Sequence, residues 1–268
     1  MKNMIEISKN LEAIHVKKGF ICDMDGVIYH GSKLLEGVDK FLEWIRRENK
    51  NFLFLTNSSE RSPRELSQKL ARLGLDIEPS HFYTSALATA SFLASQCPGG
   101  SAYVIGEPGL TGALYDAGIS MNDYNPDYVV VGESRSYSFE KIEHAIRLVL
   151  GGAKLIGTNT DLTGPSERGI LPACRALTAP IELATGRSAY FIGKPNPIIM
   201  RHAMKKLGTR REETAIVGDR MDTDILSGIQ TEIDTVLVLS GVTGEKELQE
   251  LPYRPSYILP GVGHIPPQ

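Results

Sequence analysis

The chain has 268 residues, 41% of them hydrophobic and 23% charged, with a net charge of −3. This is the composition of a globular protein with apolar sequence enough for one large domain or two medium ones. It speaks against a nucleic-acid polymer as partner, which calls for a basic surface, and no apolar run nears the roughly 18 residues of a membrane span. Residues 1–18 lack the apolar stretch and cleavage site of a signal peptide. Cys22, Cys97 and Cys174 are scattered and form no C-x-x-C pair, which excludes a zinc knuckle and disfavours a disulfide scaffold. The expected compartment is the cytoplasm.

Taken in order, residues 1–17 read as an extension with one short helix near Leu11–Val16. Gly19–Cys22 is an apolar run, a short buried strand. Val38, Phe41, Leu42 and Ile45 recur at helical spacing, and Asn51–Leu55 is a second apolar run stopped by Thr56-Asn57. Ser62, Pro63 and Glu65 predict a capping box opening a helix that buries Leu66, Leu70 and Leu73 and ends at Gly74. The pattern restarts near Ser85, with strands predicted at Ala102–Ile105, Tyr128–Val131 and Lys154–Ile156. A polar loop then runs from Thr158 to Gly169. A third series follows: strands at Ala189–Ile192, Thr214–Val217 and Thr235–Leu239, with helices between them. Alternating strands and helices predict parallel sheets, here two α/β units with the second inserted into the first.

The chemistry gathers where strands end. Asp23 and Asp25 follow the first strand one residue apart and would point into one space, with Gly26 turning the chain. Two carboxylates that close repel unless a cation sits between them or one is protonated. A solvated turn also explains an isolated D-x-D-G. An EF-hand would need Gly and Glu where Ile28 and Leu34 stand. Asp219 leaves the strand Thr214–Val217, with Asp224 about one helical turn on; Asp222 or Thr223 also reads as a plain helix cap. Thr56 either donates to a phosphate oxygen or caps a turn. Lys194, after a buried strand and before Pro195, is well placed to enter a site. Jointly these strand ends supply a nucleophile, donors, a cation and carboxylates for Mg²⁺, the set phosphoryl transfer needs. No G-x-G-x-x-G follows a strand, Thr158 stands where a P-loop needs Lys, and Gly132-Glu133-Ser134-Arg135-Ser136 lacks the second glycine of a nucleophile elbow.

Asp23-Met24-Asp25-Gly26, Thr56-Asn57, Lys194-Pro195 and Gly218-Asp219 with Thr223-Asp224 resemble the four motifs of the haloacid dehalogenase (HAD) superfamily. Phe82–Ala86, Asn125–Gly132 and Gly193–Pro197 are similar to its NagD-like phosphatases, subclass IIA with a type II cap. The resemblance runs from about Gly19 to the C-terminus. It implies a Rossmann-like parallel-sheet α/β core, residues 1–84 and 188–268, with a smaller α/β cap, 85–187, inserted. It implies that Asp23 is the nucleophile and that Asp25 is the general acid, then the base. Thr56, Asn57 and Lys194 would hold the phosphoryl group, with Arg220, Met221, Asp222 and Thr223 on its phosphate-side loop. Asp23, the main-chain carbonyl of Asp25, and Asp219 would ligate Mg²⁺, backed by Asp224, while Asn159, Thr160 and Asp161 of the cap would face the substrate. The expected activity is Mg²⁺-dependent hydrolysis of small phosphate monoesters, nucleoside monophosphates or sugar phosphates, through an aspartyl-phosphate. A homo-oligomer is compatible with the sequence. The rival readings are a dehalogenase, which Asp219, Asp224 and the acid Asp25 disfavour, and a silent phospho-ligand binder, which has no need of both Asp23 and Asp25.

Overall fold

The structure, a computed structural model, describes residues 7–166 and 169–267. Of the expected extension 1–17, residues 1–6 lie outside that range. The remainder is tied down: a short helix Glu12–His15 buries Ile14, and Ser8 donates its N–H to the Ile258 carbonyl at 2.9 Å. The Lys17 ammonium donates to the Glu212 carbonyl at 2.7 Å and pairs with Asp234.

The chain enters on β1 (Gly19–Cys22), continues through β2 (Asn51–Thr56) and reaches β3 (Phe82–Thr84). Then come β4 (Ser101–Ile105), β5 (Ser120–Met121), β6 (Tyr128–Val131) and β7 (Lys154–Gly157). A hairpin of β8 (Thr163–Ser166) and β9 (Gly169–Pro172) precedes β10 (Tyr190–Phe191). The chain finishes with β11 (Thr214–Gly218), β12 (Asp234–Val238) and β13 (Tyr257–Leu259). Six strands form one sheet in the order β13-β12-β11-β1-β2-β3, and five form another, β10-β7-β6-β4-β5. The pairings of β1, β2, β11, β12 and β13, and all those of the second sheet, are parallel. This is the expected Rossmann-like α/β architecture. A strand flanked on both edges and covered on both faces must be apolar throughout, and all four residues of β1 are buried.

Two compact units result. The first comprises the described residues up to Thr56, Lys69–Phe82 and the chain from Met200; the second comprises Asn57–Gln68 and Tyr83–Ile199. The segment 85–187 falls wholly within the second. The strand read at Ala189–Ile192 does not belong to the first sheet: Tyr190 and Phe191 pair with Ile156 and Gly157 of β7. A short apolar strand at the end of a βα series carries no mark of which sheet edge will take it. The polar stretch from Thr158 to Gly169 is also not all loop. Pro165 sits opposite Ile170 in a two-stranded ribbon, where a missing N–H leaves no inner ladder unpaired. The capping box forms as predicted: Ser62 donates its N–H to Glu65 Oε2 at 2.8 Å, and Glu65 N–H returns to Ser62 Oγ at 3.3 Å.

The first unit's core closes around Phe20, whose ring lies 5.8 Å from Phe41 and 5.4 Å from Trp44, both edge to face. Phe20→Ala should lower stability by about 3–5 kcal/mol. Val16→Ala, at a side chain 75% exposed, should change it by less than about 0.5 kcal/mol. Urea denaturation followed by Trp44 fluorescence checks both.

Candidate active site

In the first unit, Asp23 continues the ladder one residue past β1, donating its N–H to the Val217 carbonyl at 2.8 Å. Gly26, at φ +80°, then turns the chain, and its N–H donates to the Tyr29 carbonyl at 2.8 Å. Any side chain at Gly26 would strike Asp219, since a Cβ there would lie 2.5 Å from Asp219 Oδ2. Gly241 is similarly pressed against Asp219, and Gly218 against Asp224. The three glycines therefore make room for carboxylates. Asp219 follows β11, which neighbours β1; its Oδ2 accepts the Val242 N–H at 2.7 Å. Asp224 accepts the Arg220 N–H at 3.2 Å. One oxygen from each of Asp23, Asp219 and Asp224 falls within 4.8 Å of the others, with Asp219 and Asp224 buried.

Three carboxylates packed this closely, two of them out of water, repel strongly without a counter-charge. An all-oxygen donor set is what a hard divalent cation such as Mg²⁺ takes, and the cluster fits one. Asp25 stands outside it, 3.6 Å from His30 Nδ1. Burial pushes its carboxyl up from the usual range, against the downward pull of Lys69 and His30. Thr56 closes β2, on the other side of β1, so Asp219, Asp23 and Thr56 occupy the same end of three adjacent strands.

Asn57 and Lys194 belong to the second unit and are joined by their amides. Asn57 Oδ1 accepts the Lys194 N–H at 2.7 Å, and Asn57 Nδ2 donates to the Lys194 carbonyl and to Asp161 Oδ2, each at 3.1 Å. Gly193 permits this, because a Cβ there would lie 2.7 Å from Asn57 Oδ1. Lys194 is almost fully buried. The Asn57 carbonyl accepts from Ser85 Oγ at 2.5 Å and from Asn159 Nδ2 at 2.7 Å.

Two placements differ from expectation. Met221 packs with Ile225, Leu237 and Leu248, its N–H donates to Thr243 Oγ1 at 3.2 Å, and its carbonyl accepts from Tyr253. An apolar side chain next to a core strand turns inward, and no donor of Met221 is left for phosphate. Asn159 is fully buried and its amide is engaged inside the fold, so it does not face a substrate. Arg220 is held by Asp222, Nη2 to Oδ2 at 2.8 Å, with Asp222 exposed, while Thr223 is buried. Sequence reasoning missed Ser240, which donates to the Gly26 carbonyl at 2.7 Å, and Val242. Both follow β12 at its carboxyl end, a position that could have flagged them. Burial, with the Glu133 charge nearby, pushes the Cys174 thiol up to about 12.

Residues 20–120 match the model of the haloacid dehalogenase-like hydrolases and residues 191–265 a second, HAD-like hydrolase model. The chain belongs to this family. Within it the chain is NagD-like. It is 48% identical over 250 residues to a dihydroxyacetone phosphatase of Corynebacterium glutamicum, covering 93% of this chain and 91% of that one. It is 44% identical over 248 residues to the ribonucleotide monophosphatase NagD of Escherichia coli, covering 92% and 98%. The solved structure of NagD from E. coli K-12 superposes with a TM-score of 0.88 at 43% identity, covering 94% of this chain and 99% of that one.

If the carboxylate cluster holds a cation, Mg²⁺ should raise the melting temperature of the metal-free protein. At 100 times its dissociation constant the stabilisation would be about 2.7 kcal/mol. Asp219→Asn keeps an acceptor for Val242 but loses a charge, so the Mg²⁺ effect should shrink strongly. A melting temperature that Mg²⁺ leaves unmoved in the unmutated protein would contradict the site.

Proposed function

We propose that this phosphoric monoester hydrolase is a Mg²⁺-dependent phosphatase of small phosphate monoesters, acting through an aspartyl-phosphate on Asp23. The observation that carries the reading is the convergence of Asp23 with Asp219 and Asp224, with a second carboxyl, Asp25, two residues away and pushed toward its protonated form. Among the described residues no helix is long and apolar enough to cross a membrane. The relatives' names, a ribonucleotide monophosphatase, a dihydroxyacetone phosphatase and acid sugar phosphatases, favour two substrate classes, nucleoside monophosphates and phosphates of small sugars or trioses. The second unit is the substrate-selecting insertion, its expected bounds 85–187 lying inside a compact body of its own.

A carboxylate and a phosphate dianion repel; Mg²⁺ held by Asp23, the main-chain carbonyl of Asp25 and Asp219, backed by Asp224, would offset that repulsion. Asp23 attacks phosphorus, and as the bond to the leaving oxygen breaks Asp25 delivers its proton to that oxygen. Asp25 then takes a proton from water, whose oxygen attacks the same phosphorus and frees Asp23 and inorganic phosphate. Thr56, Asn57 and Lys194 hold the phosphoryl oxygens, Lys194 adding positive charge. Burial of Asp25 serves the first half of this cycle, because an acid must reach it protonated.

Asp23 and Asp25 are chemically identical, so their roles separate only by position. In Asp25→Asn the attack survives but the proton donor is lost. The phosphorylation step should fall by about 10²–10⁴-fold for a ribose or alkyl phosphate. It should fall far less for p-nitrophenyl phosphate, whose leaving group departs as the anion. Rapid-quench kinetics on the two substrates checks this, and equal losses would show that Asp25 is not the acid.

A further inference from the structure

Glu133 follows β6 and plays no part in the chemistry described above, yet its carboxylate is fully engaged. One oxygen, Oε2, accepts both the N–H of Ser59, at 3.0 Å, and the Ser59 hydroxyl. The other, Oε1, accepts from Asn159 Nδ2 at 2.6 Å. The same Asn159 amide nitrogen donates to the main-chain carbonyl of Asn57 at 2.7 Å, and Ser59 lies two residues beyond Asn57. Asn57 in turn grips Lys194 through both its amide atoms. Ser59, Thr158 and Asn159 are fully buried, and Thr158 Oγ1 donates to Ser59 Oγ at 3.3 Å. Gly132 has no room for a side chain, since a Cβ there would lie 2.5 Å from Ser59 Oγ. The group is thus packed as well as hydrogen-bonded.

Such an arrangement costs free energy to build. Burial pushes the Glu133 carboxyl up, against the donors of Ser59 and Asn159, which pull it down. Core stability alone would be served as well by apolar residues of similar size. A carboxylate accepting three donors instead dictates direction: each of its oxygens can only accept, so the Ser59 and Asn159 groups can only point toward it.

We propose that Glu133 is a positioning residue for the phosphoryl cradle, fixing Asn57 and through it Lys194 by clamping Ser59 on one side and Asn159 on the other. The inference rests on the phosphate-binding roles given above to Asn57 and Lys194. It also gives Asn159 a different task from substrate recognition, which leaves Thr160, exposed, and Asp161, partly exposed, as the outward-facing residues of that loop.

In Glu133→Gln an amide NH₂ must face either the donors of Ser59 or that of Asn159, so one side of the clamp opens. Displacing groups that hold a reacting centre by about 1 Å lowers kcat/KM by up to about 10²-fold. The decisive readout is the affinity of the Mg²⁺-loaded protein for inorganic phosphate, measured by calorimetry well below the melting temperature. A loss of stability alone reduces the amount of folded protein but not the affinity of what is folded. Glu133→Gln and Asn159→Ala should each weaken phosphate binding by at least about tenfold, with the Mg²⁺ affinity unchanged. Because both act through Asn57, the double variant should be little weaker than the worse single one. A folded Glu133→Gln that binds phosphate as the unmutated protein does would overturn the proposal, as would fully additive losses in the double variant. Should Glu133→Gln fail to fold, Ser59→Ala decides: unchanged phosphate affinity there also overturns it. If the unmutated protein hydrolyses no aryl phosphate but binds inorganic phosphate, the phosphatase reading fails while the clamp is still tested. If it binds no phosphate, both fall.

Discussion

Three carboxylates brought within 4.8 Å of one another form the constraint to which the rest of the first unit answers. Their mutual repulsion opposes folding, so each must be held by something stronger than its own preference for water. The parallel register of β1 against β11 supplies the approach, carrying Asp23 and Asp219 off neighbouring strand ends. Main-chain N–H groups of Val242 and Arg220 then hold Asp219 and Asp224 in place. Glycines at 26, 218 and 241 keep the space that any Cβ would fill. A binding site for a hard cation is the economical reason to assemble such a cluster.

Around that centre, identical side chains acquire different tasks from their surroundings. Asp23 offers one oxygen to a cluster of three carboxylates, two of them buried. Asp25, outside the cluster and partly buried, has its carboxyl pushed up by that burial. The second unit holds a different group of its own: neutral amides, a buried lysine and one carboxylate that accepts three donors.

The legible part of this design was local. D-x-D-G after an apolar run, the Ser62–Glu65 capping box and Gly218-Asp219 after a buried strand each depend on a few adjacent residues, and each lies where its pattern indicates. What escaped depends on partners distant in sequence. Tyr190 and Phe191 joined β7 because that edge was open, a choice no run of two apolar residues announces. Asn159 looked like a loop residue facing a ligand. It is instead fully buried, its amide donating to the carbonyl of Asn57, 102 positions away. Glu133 stood in a stretch dismissed for lacking a nucleophile elbow, and its partner Ser59 is 74 positions distant. Met221 sits among motif residues, yet an apolar side chain beside β12 had a core to enter.

The account turns on Asp23 as the atom donor that becomes covalently phosphorylated. The direct measurement is rapid quenching of the Mg²⁺-loaded protein with a phosphate monoester, followed by borohydride reduction and mass spectrometry of the peptides. Reduction converts an aspartyl-phosphate to homoserine, so the account predicts homoserine at position 23 and at no other aspartate. Homoserine at position 25 or 219, or full turnover with no reducible aspartate at all, would contradict it.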